Sequence, residues 1–247
     1  MSTRRGASDG KGGKGSKSKK QSATQFTGRG MATRVKTAKG RKGSSTRWLQ
    51  RQLNDPYVAE AQTRGYRSRA AFKLSELDDR FQFLKAGQKI VDLGAAPGGW
   101  TQVILERIGK NAGMIVAIDQ NEIEPLPGAI ILQLDIFDED APAKIQASLG
   151  GAADVVLSDM APAATGHRST DHLRIMGLCE AALDIAVNVL APGGILVAKA
   201  WQGGTEHQLL ALIKKSFERV KHAKPPASRA DSAEVYVIAQ GFRGTRS

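Results

Sequence analysis

The side chains able to do chemistry in this sequence are acids and lysines at the ends of short apolar runs. The first group opens with Asp92-Leu-Gly-Ala-Ala-Pro-Gly-Gly-Trp100, between an apolar run and an amphipathic one. Glycines at 94, 98 and 99 allow a tight turn and let the backbone approach a ligand with no Cβ in the way. The next run, Met114-Ile-Val-Ala-Ile-Asp119, ends in an acid that can accept both hydroxyls of a ribose. Asp135 closes the third run within reach of an adenine amino group. Three acids at successive run ends predict a nucleoside site. A nicotinamide dinucleotide site is the rival, but its G-x-G-x-x-G fingerprint is not met. The pattern here is G-A-A-P-G-G, with Pro97 in the turn and Trp100 heading the helix.

A second group can act on a bound substrate. The fourth run ends in Ser158-Asp159-Met160-Ala161-Pro162, and the fifth carries Lys199 between Ala198 and Ala200. A lysine inside an apolar run needs an acidic partner or a task. Lys73 lies on the helix before the first run, and Glu234 opens the last. Singly, Lys73 and Glu234 read as ordinary solvated charges. Their weight lies in the combination.

The elements that must hold these residues follow from the same pattern. Six β-branched, nearly continuous runs cover 89–93, 114–119, 129–134, 153–158, 194–200 and 234–241, as strands buried on both faces do. Helical segments alternate with them at 100–108, 141–149, 172–190 and 205–217, and Ser68 reads as the N-cap of a helix carrying Phe72, Leu77, Phe81 and Leu84. This alternation predicts a doubly wound, Rossmann-like α/β fold with its ligand crevice at the strand C-termini.

The motifs SRAAFKL, VDLGAAPGGWTQ, SDMAP, AKAWQG and SAEVYVIAQGF resemble those of the RrmJ/FtsJ (RlmE) family of RNA 2′-O-methyltransferases, from about Trp48 to Gly241. The resemblance implies a seven-stranded, mostly parallel sheet and S-adenosyl-L-methionine as cofactor. It implies a catalytic tetrad of Lys73, Asp159, Lys199 and Glu234 that aligns a ribose 2′-hydroxyl and relieves it of its proton. In that tetrad Lys199, its pKa lowered by burial and by Lys73, is the base or else only holds the alkoxide, and Asp159 and Glu234 orient the two lysines. The resemblance also implies cofactor-binding positions at Gly98, Trp100, Asp119, Asp135 and Asp159. It implies a uridine ribose in the 23S rRNA A-loop as target and the large ribosomal subunit as partner, with no metal. Relatives acting on tRNA or mRNA-cap ribose share the tetrad, and a non-catalytic ribosome-assembly factor would share the fold. No aromatic follows Asp159 to stack on a base, as [DN]-P-P-[YFW] would supply, so an exocyclic nitrogen is a poor acceptor here.

Composition bounds the remainder. The net charge of +12 in 247 residues resides in residues 1–46, where thirteen Lys/Arg face the single acid Asp9; residues 47–247 balance to zero. Rich in Gly, Ser, Thr and Lys and poor in large apolar residues, 1–46 is expected to be a disordered tail that associates with polyanions. Residues 47–247 form the expected methyltransferase domain, with Arg64, Tyr66, Arg67 and Arg69 as its local RNA patch. The lone Cys179 excludes a disulfide framework and a multi-cysteine zinc site, and argues against cytosine C5 methylation through paired cysteines. No secretory signal or membrane-length apolar run is found, so a monomer in the cytoplasm, away from membranes, is expected.

Overall fold

The computed structural model describes residues 43–109, 113–162, 167–201 and 206–244, all in the unit that runs from Thr33 to Ser247. Most of the expected tail, 1–42, lies outside the described residues. Helix α1 (Gly43–Leu53) crosses the expected boundary at 46/47. Helix α2 (Pro56–Arg64) starts where Asp55 accepts a hydrogen bond from Tyr57 N and Pro56 occupies a position that needs no N–H donor. Helix α3 (Ala70–Phe81) is capped by Arg69 rather than by Ser68, and no side-chain bond caps it. Ser68 contributes its carbonyl instead, accepting from Ala71 N.

The chain then alternates as expected: β1 (Ile90–Leu93), α4 (Gly99–Ile108), β2 (Ile115–Asp119), β3 (Ile130–Gln133), α5 (Ala141–Leu149), β4 (Ala153–Ser158), α6 (Arg168–Val189), β5 (Leu190–Trp201), α7 (Glu206–Ser216), β6 (Phe217–Ala223) and β7 (Glu234–Phe242). Among the described residues the sheet has seven strands, in the order β3-β2-β1-β4-β5-β7-β6. Strands β1 to β5 pair in parallel, and β7 runs antiparallel to both β5 and β6. The sequence shows six of the seven. Strand β6 escapes the apolar pattern because only Phe217 and Ala223 of FERVKHA are buried. It is an edge strand, where charges discourage pairing with another chain.

Helices cover both faces. Ala71, Leu74 and Leu77 of α3 and Val103, Ile104 and Ile108 of α4 pack on Ile90, Val155, Val197 and Ile238. Ile145 of α5, Ala182 and Ala186 of α6 and Ile213 of α7 belong to the core on the opposite side, with Val91, Val156, Leu196 and Val237. The parallel strands all end at one edge of the sheet. Antiparallel β7 begins at that edge, with Glu234 directly opposite Trp201 and Tyr236 opposite Lys199. A residue at the start of the last strand therefore meets residues at the end of the fifth.

Candidate active site

The loop after β1 wraps back on β2. Gly94 N and Ala95 N both donate to Ile118 O, at 2.9 and 3.0 Å, and Ala96 N donates to Asp119 Oδ2 at 3.0 Å. Gly94 has φ +73°, and a Cβ there would stand 2.4 Å from Met160 Cγ, so only glycine lets the β1 and β4 tips close on each other. In front of this loop is a cleft of about 740 Å³, within the usual range for small-molecule sites. Its walls include Gly94, Ile118, Asp119, Leu134, Phe137, Asp159, Met160, Pro162 and Leu178.

Of the five expected cofactor positions, Asp119 and Asp159 line this cleft. Asp119 Oδ1 accepts from Asn121 N at 2.8 Å and from Asn121 Nδ2 at 2.9 Å. With the Ala96 bond, three of roughly four carboxylate acceptor sites are filled, so Asn121 must swing away before two ribose hydroxyls can both bind. Asp135 lies beyond β3, accepts from Phe137 N at 3.0 Å and is outside the cleft lining, whereas its neighbours Leu134, Ile136 and Phe137 are within it. Gly98 shapes the helix start with φ +109°, and a Cβ there would meet Arg67 Nη1 at 2.9 Å. Trp100 is buried, donates Nε1–H to Ala70 O at 2.8 Å and packs on Tyr236 with ring centroids 5.8 Å apart. Its side chain fastens α4 to α3 and β7 rather than facing the cleft.

The four residues read as a tetrad converge from four elements: α3, the end of β4, β5 and the start of β7. Lys199 Nζ lies 2.7 Å from Asp159 Oδ1 and 3.6 Å from Glu234 Oε2. Lys73 Nζ lies 2.9 Å from Glu234 Oε2 and 3.7 Å from Asp159 Oδ1. Two ammonium groups thus interleave with two carboxylates, and the cluster is neutral as a whole. Lys199 and Glu234 are 7% and 9% exposed, so any one partner missing would leave a buried charge uncompensated.

The electrostatics reverse one expectation. Burial alone would lower the Lys199 pKa, but the Asp159 and Glu234 carboxylates outweigh it and hold the amine above its ordinary range. Burial likewise acts to raise Asp159 and Glu234, and the two lysines outweigh it, holding both below the usual carboxylate range. Lys199 is therefore an ammonium at neutral pH, not the depressed amine expected from burial and Lys73. The carboxylates at 2.7 and 3.6 Å decide the sign.

Two participants, Tyr236 and Ser228, were not singled out by the sequence. Tyr236 is fully buried and donates its hydroxyl to Asp159 Oδ1 at 2.5 Å; burial and the two acids push its own pKa well above 10. Ser228 Oγ donates to Glu234 Oε1 at 2.6 Å. The period of two in Glu234-Val-Tyr236 puts both side chains on one strand face, a signal that could have found the tyrosine. Asp92, 1% exposed, accepts from Thr101 Oγ1 at 2.7 Å. Burial pushes it up to about 7 against the pull of Thr101, with Asp159 and Asp119 adding to the rise.

The expected arginine patch is used internally. Arg64 pairs with Glu60 at 2.6 Å, and Arg67 donates to the carbonyls of Pro97, Glu124 and Pro125 at 3.1, 2.7 and 3.1 Å. Arg69 pairs with Asp55 at 2.9 Å and bonds Ala227 O, and Tyr66 OH donates to Glu106 at 2.6 Å. Arg67 and Arg69 tie loops together beside the site, whereas Arg64 is exposed and paired within its own helix. Among the described residues no group of three His, Cys, Asp or Glu side chains is placed to hold a metal ion, and no helix is long and apolar enough to cross a membrane.

Residues 66–242 match the family model described as FtsJ-like methyltransferase. The chain is 60% identical over 237 residues to the ribosomal RNA large subunit methyltransferase E of Paramagnetospirillum magneticum, covering 92% of this chain and 97% of that one. It is 57% identical over 251 aligned positions to the protein of the same name from Rhodospirillum rubrum, covering 99% and 95%. A solved structure described as a ribosomal RNA methyltransferase from Plasmodium falciparum matches with a TM-score of 0.66 at 32% identity, over 72% of this chain and 100% of that one.

Proposed function

The chain belongs to the FtsJ-like methyltransferase family, and from that premise we propose that it methylates a ribose 2′-hydroxyl of large-subunit ribosomal RNA, at a uridine of the 23S A-loop. As a family member it is an S-adenosylmethionine-dependent methyltransferase. The observation that carries the ribose reading is the buried cluster of Lys73, Asp159, Lys199 and Glu234 beside the cleft. The reading places the protein in the cytoplasm as a monomer acting on the large ribosomal subunit.

The cleft residues fit the cofactor. Gly94 and Met160 close its floor, Asp119 presents a carboxylate at the β2 tip for ribose hydroxyls, and Ile118, Leu134, Ile136 and Phe137 offer apolar walls for an adenine. Asp159 stands at the other end, shared between cleft and cluster. S-adenosylmethionine supplies a methyl group on a positively charged sulfur, which leaves as a neutral thioether.

The protein must hold an oxygen in line with that methyl and dispose of one proton. The Lys199 ammonium donates to the incoming 2′-oxygen and fixes its direction. A hydroxyl that forms a bond to carbon becomes strongly acidic, so a weak base is enough to take its proton. Asp159 Oδ1, in contact with Lys199 and Tyr236, accepts it. Lys73 and Glu234 keep the charges paired while the proton moves. Mapping ribose methylation in ribosomal RNA from cells with and without the gene tests the assignment. Unchanged methylation at every large-subunit ribose would overturn it.

A further inference from the structure

At the C-terminal edge of β5, two residues beyond Lys199, Trp201 is half-buried. It pairs across the strands with Glu234, and cross-strand partners share a face of the sheet. Its ring lies 6.3 Å from that of His172, with 37° between the planes. His172 belongs to the first turns of α6, two residues before Arg174, which lines the cleft. The indole therefore shares a sheet face with Lys199 and Glu234, meets His172 of α6, and keeps part of its surface open.

We infer that Trp201 is the stacking platform for the nucleobase of the nucleotide whose 2′-hydroxyl reaches Lys199. Unpaired bases in RNA are commonly held on the faces of aromatic side chains, because every base offers a π-face. The spacing suits a single nucleotide. Two strand residues span roughly 6.6 Å, about the distance from a base to the far side of its own ribose. A base resting on Trp201 thus delivers its ribose over Lys199 and Asp159. His172 braces the ring from the side, which reduces the motion lost when a base docks. Trp201 is on this account a positioning residue for RNA and has no part in holding the methyl donor.

The inference rests on the ribose-methylation reading, and the experiment separates the two. Full-length protein is assayed for transfer of labelled methyl from S-adenosylmethionine to large-subunit ribosomal RNA, as wild type, Trp201→Ala and Trp201→Phe. Trp201→Ala is expected to raise the KM for RNA on the order of 10- to 100-fold, the range that loss of one base stack produces. Cofactor affinity by calorimetry stays within two-fold, and Trp201→Phe recovers most of the loss. Indole fluorescence gives a second readout. Adding the RNA quenches wild type, and Trp201→Phe removes that quenching although Trp48 and Trp100 remain. Should Trp201→Ala fail to fold, the wild-type and Trp201→Phe quenching comparison decides. Equal KM values for wild type and Trp201→Ala, or equal quenching in wild type and Trp201→Phe, overturns the platform. No methyl incorporation by wild type would instead overturn the ribose reading.

Discussion

Asp159 holds Lys199 twice: its Oδ1 lies 2.7 Å from Lys199 Nζ, and its own carbonyl oxygen accepts from the same nitrogen at 3.0 Å. One residue at the end of β4 thus fixes both the charge and the direction of the amine on β5. Replacing Lys199 with alanine frees that grip and leaves two buried carboxylates facing Lys73 alone. Methyl transfer is expected to fall by about 10²–10⁴. Breaking a buried pair on one side also costs roughly 3–5 kcal/mol of stability. S-adenosylmethionine affinity, measured by calorimetry on protein shown to be folded, stays within a few-fold. Near-normal turnover at neutral pH would refute the role of Lys199.

The raised Lys199 pKa has a kinetic signature. With the ammonium as the working form, single-turnover rates stay level from neutral pH upward and decline only above the ordinary lysine range. On the acid side, the lowered Asp159 and Glu234 keep the site intact until the pH falls below the usual carboxylate range. A rate that climbs tenfold per pH unit between 7 and 9 would instead show that neutral Lys199 is the base.

Asp119 separates binding from chemistry. Asp119→Ala removes the anchor of Ala96 N and of Asn121 as well as the carboxylate of the cleft. Cofactor affinity weakens, while the rate at saturating cofactor is largely restored. Calorimetry that finds the affinity unchanged would mean that the cofactor ribose lies elsewhere.

Asp92 makes stability depend on pH. Its folded pKa, about 7, is above the value it has in an unfolded chain, so the folded state keeps a proton the unfolded state has lost. Its contribution is complete below the unfolded value and is lost as pH rises toward 7. Asp92→Asn can still accept from Thr101 and never ionises. Urea unfolding at pH 5 and 7.5 should show the variant gaining on wild type, by on the order of a few kcal/mol at the higher pH. A gap that does not change with pH would contradict the assignment.

The basic tail is tested by deletion. Removing residues 1–42, which stops short of α1, should leave cofactor binding intact and flatten the salt dependence of RNA association. Each lost phosphate contact reduces the log–log slope by about 0.7–0.9. Arg67 and Arg69 are engaged with neighbouring segments, and residues 47–247 carry no net charge, so the tail holds the chain's excess positive charge. Identical slopes for the two proteins would make the tail irrelevant to RNA.

What the sequence conveys well is whatever is written in local apolar runs. Lys199 stood out by its place inside an apolar run, whereas Lys73 and Glu234 read singly as ordinary charges and were joined to it and to Asp159 by the family resemblance. Strand direction is not written there. EVYVIAQG has the same continuous apolar character as the parallel strands, and its antiparallel course depends on which neighbour it joins. The sign of the Lys199 shift escaped for a related reason. Burial was visible from the run, whereas the balance of Asp159, Glu234 and Lys73 around it depends on distances. Tyr236 and Ser228 became partners of the acids only once β7 was in register, and the inward turn of the Trp100 ring onto Ala70 and Tyr236 depends on packing that the motif does not show.

The antiparallel entry of β7 also sets an order of events on the ribosome that makes this chain. Lys73, Asp159 and Lys199 are synthesised before Glu234, and β5 cannot be flanked on both sides until the last strand arrives. A nascent chain ending before residue 234 would carry two ammonium groups against one carboxylate, a surplus of charge at the place meant to be dry. Electrical neutrality of the centre thus waits for β7, and the site cannot be competent before residue 234 is in place.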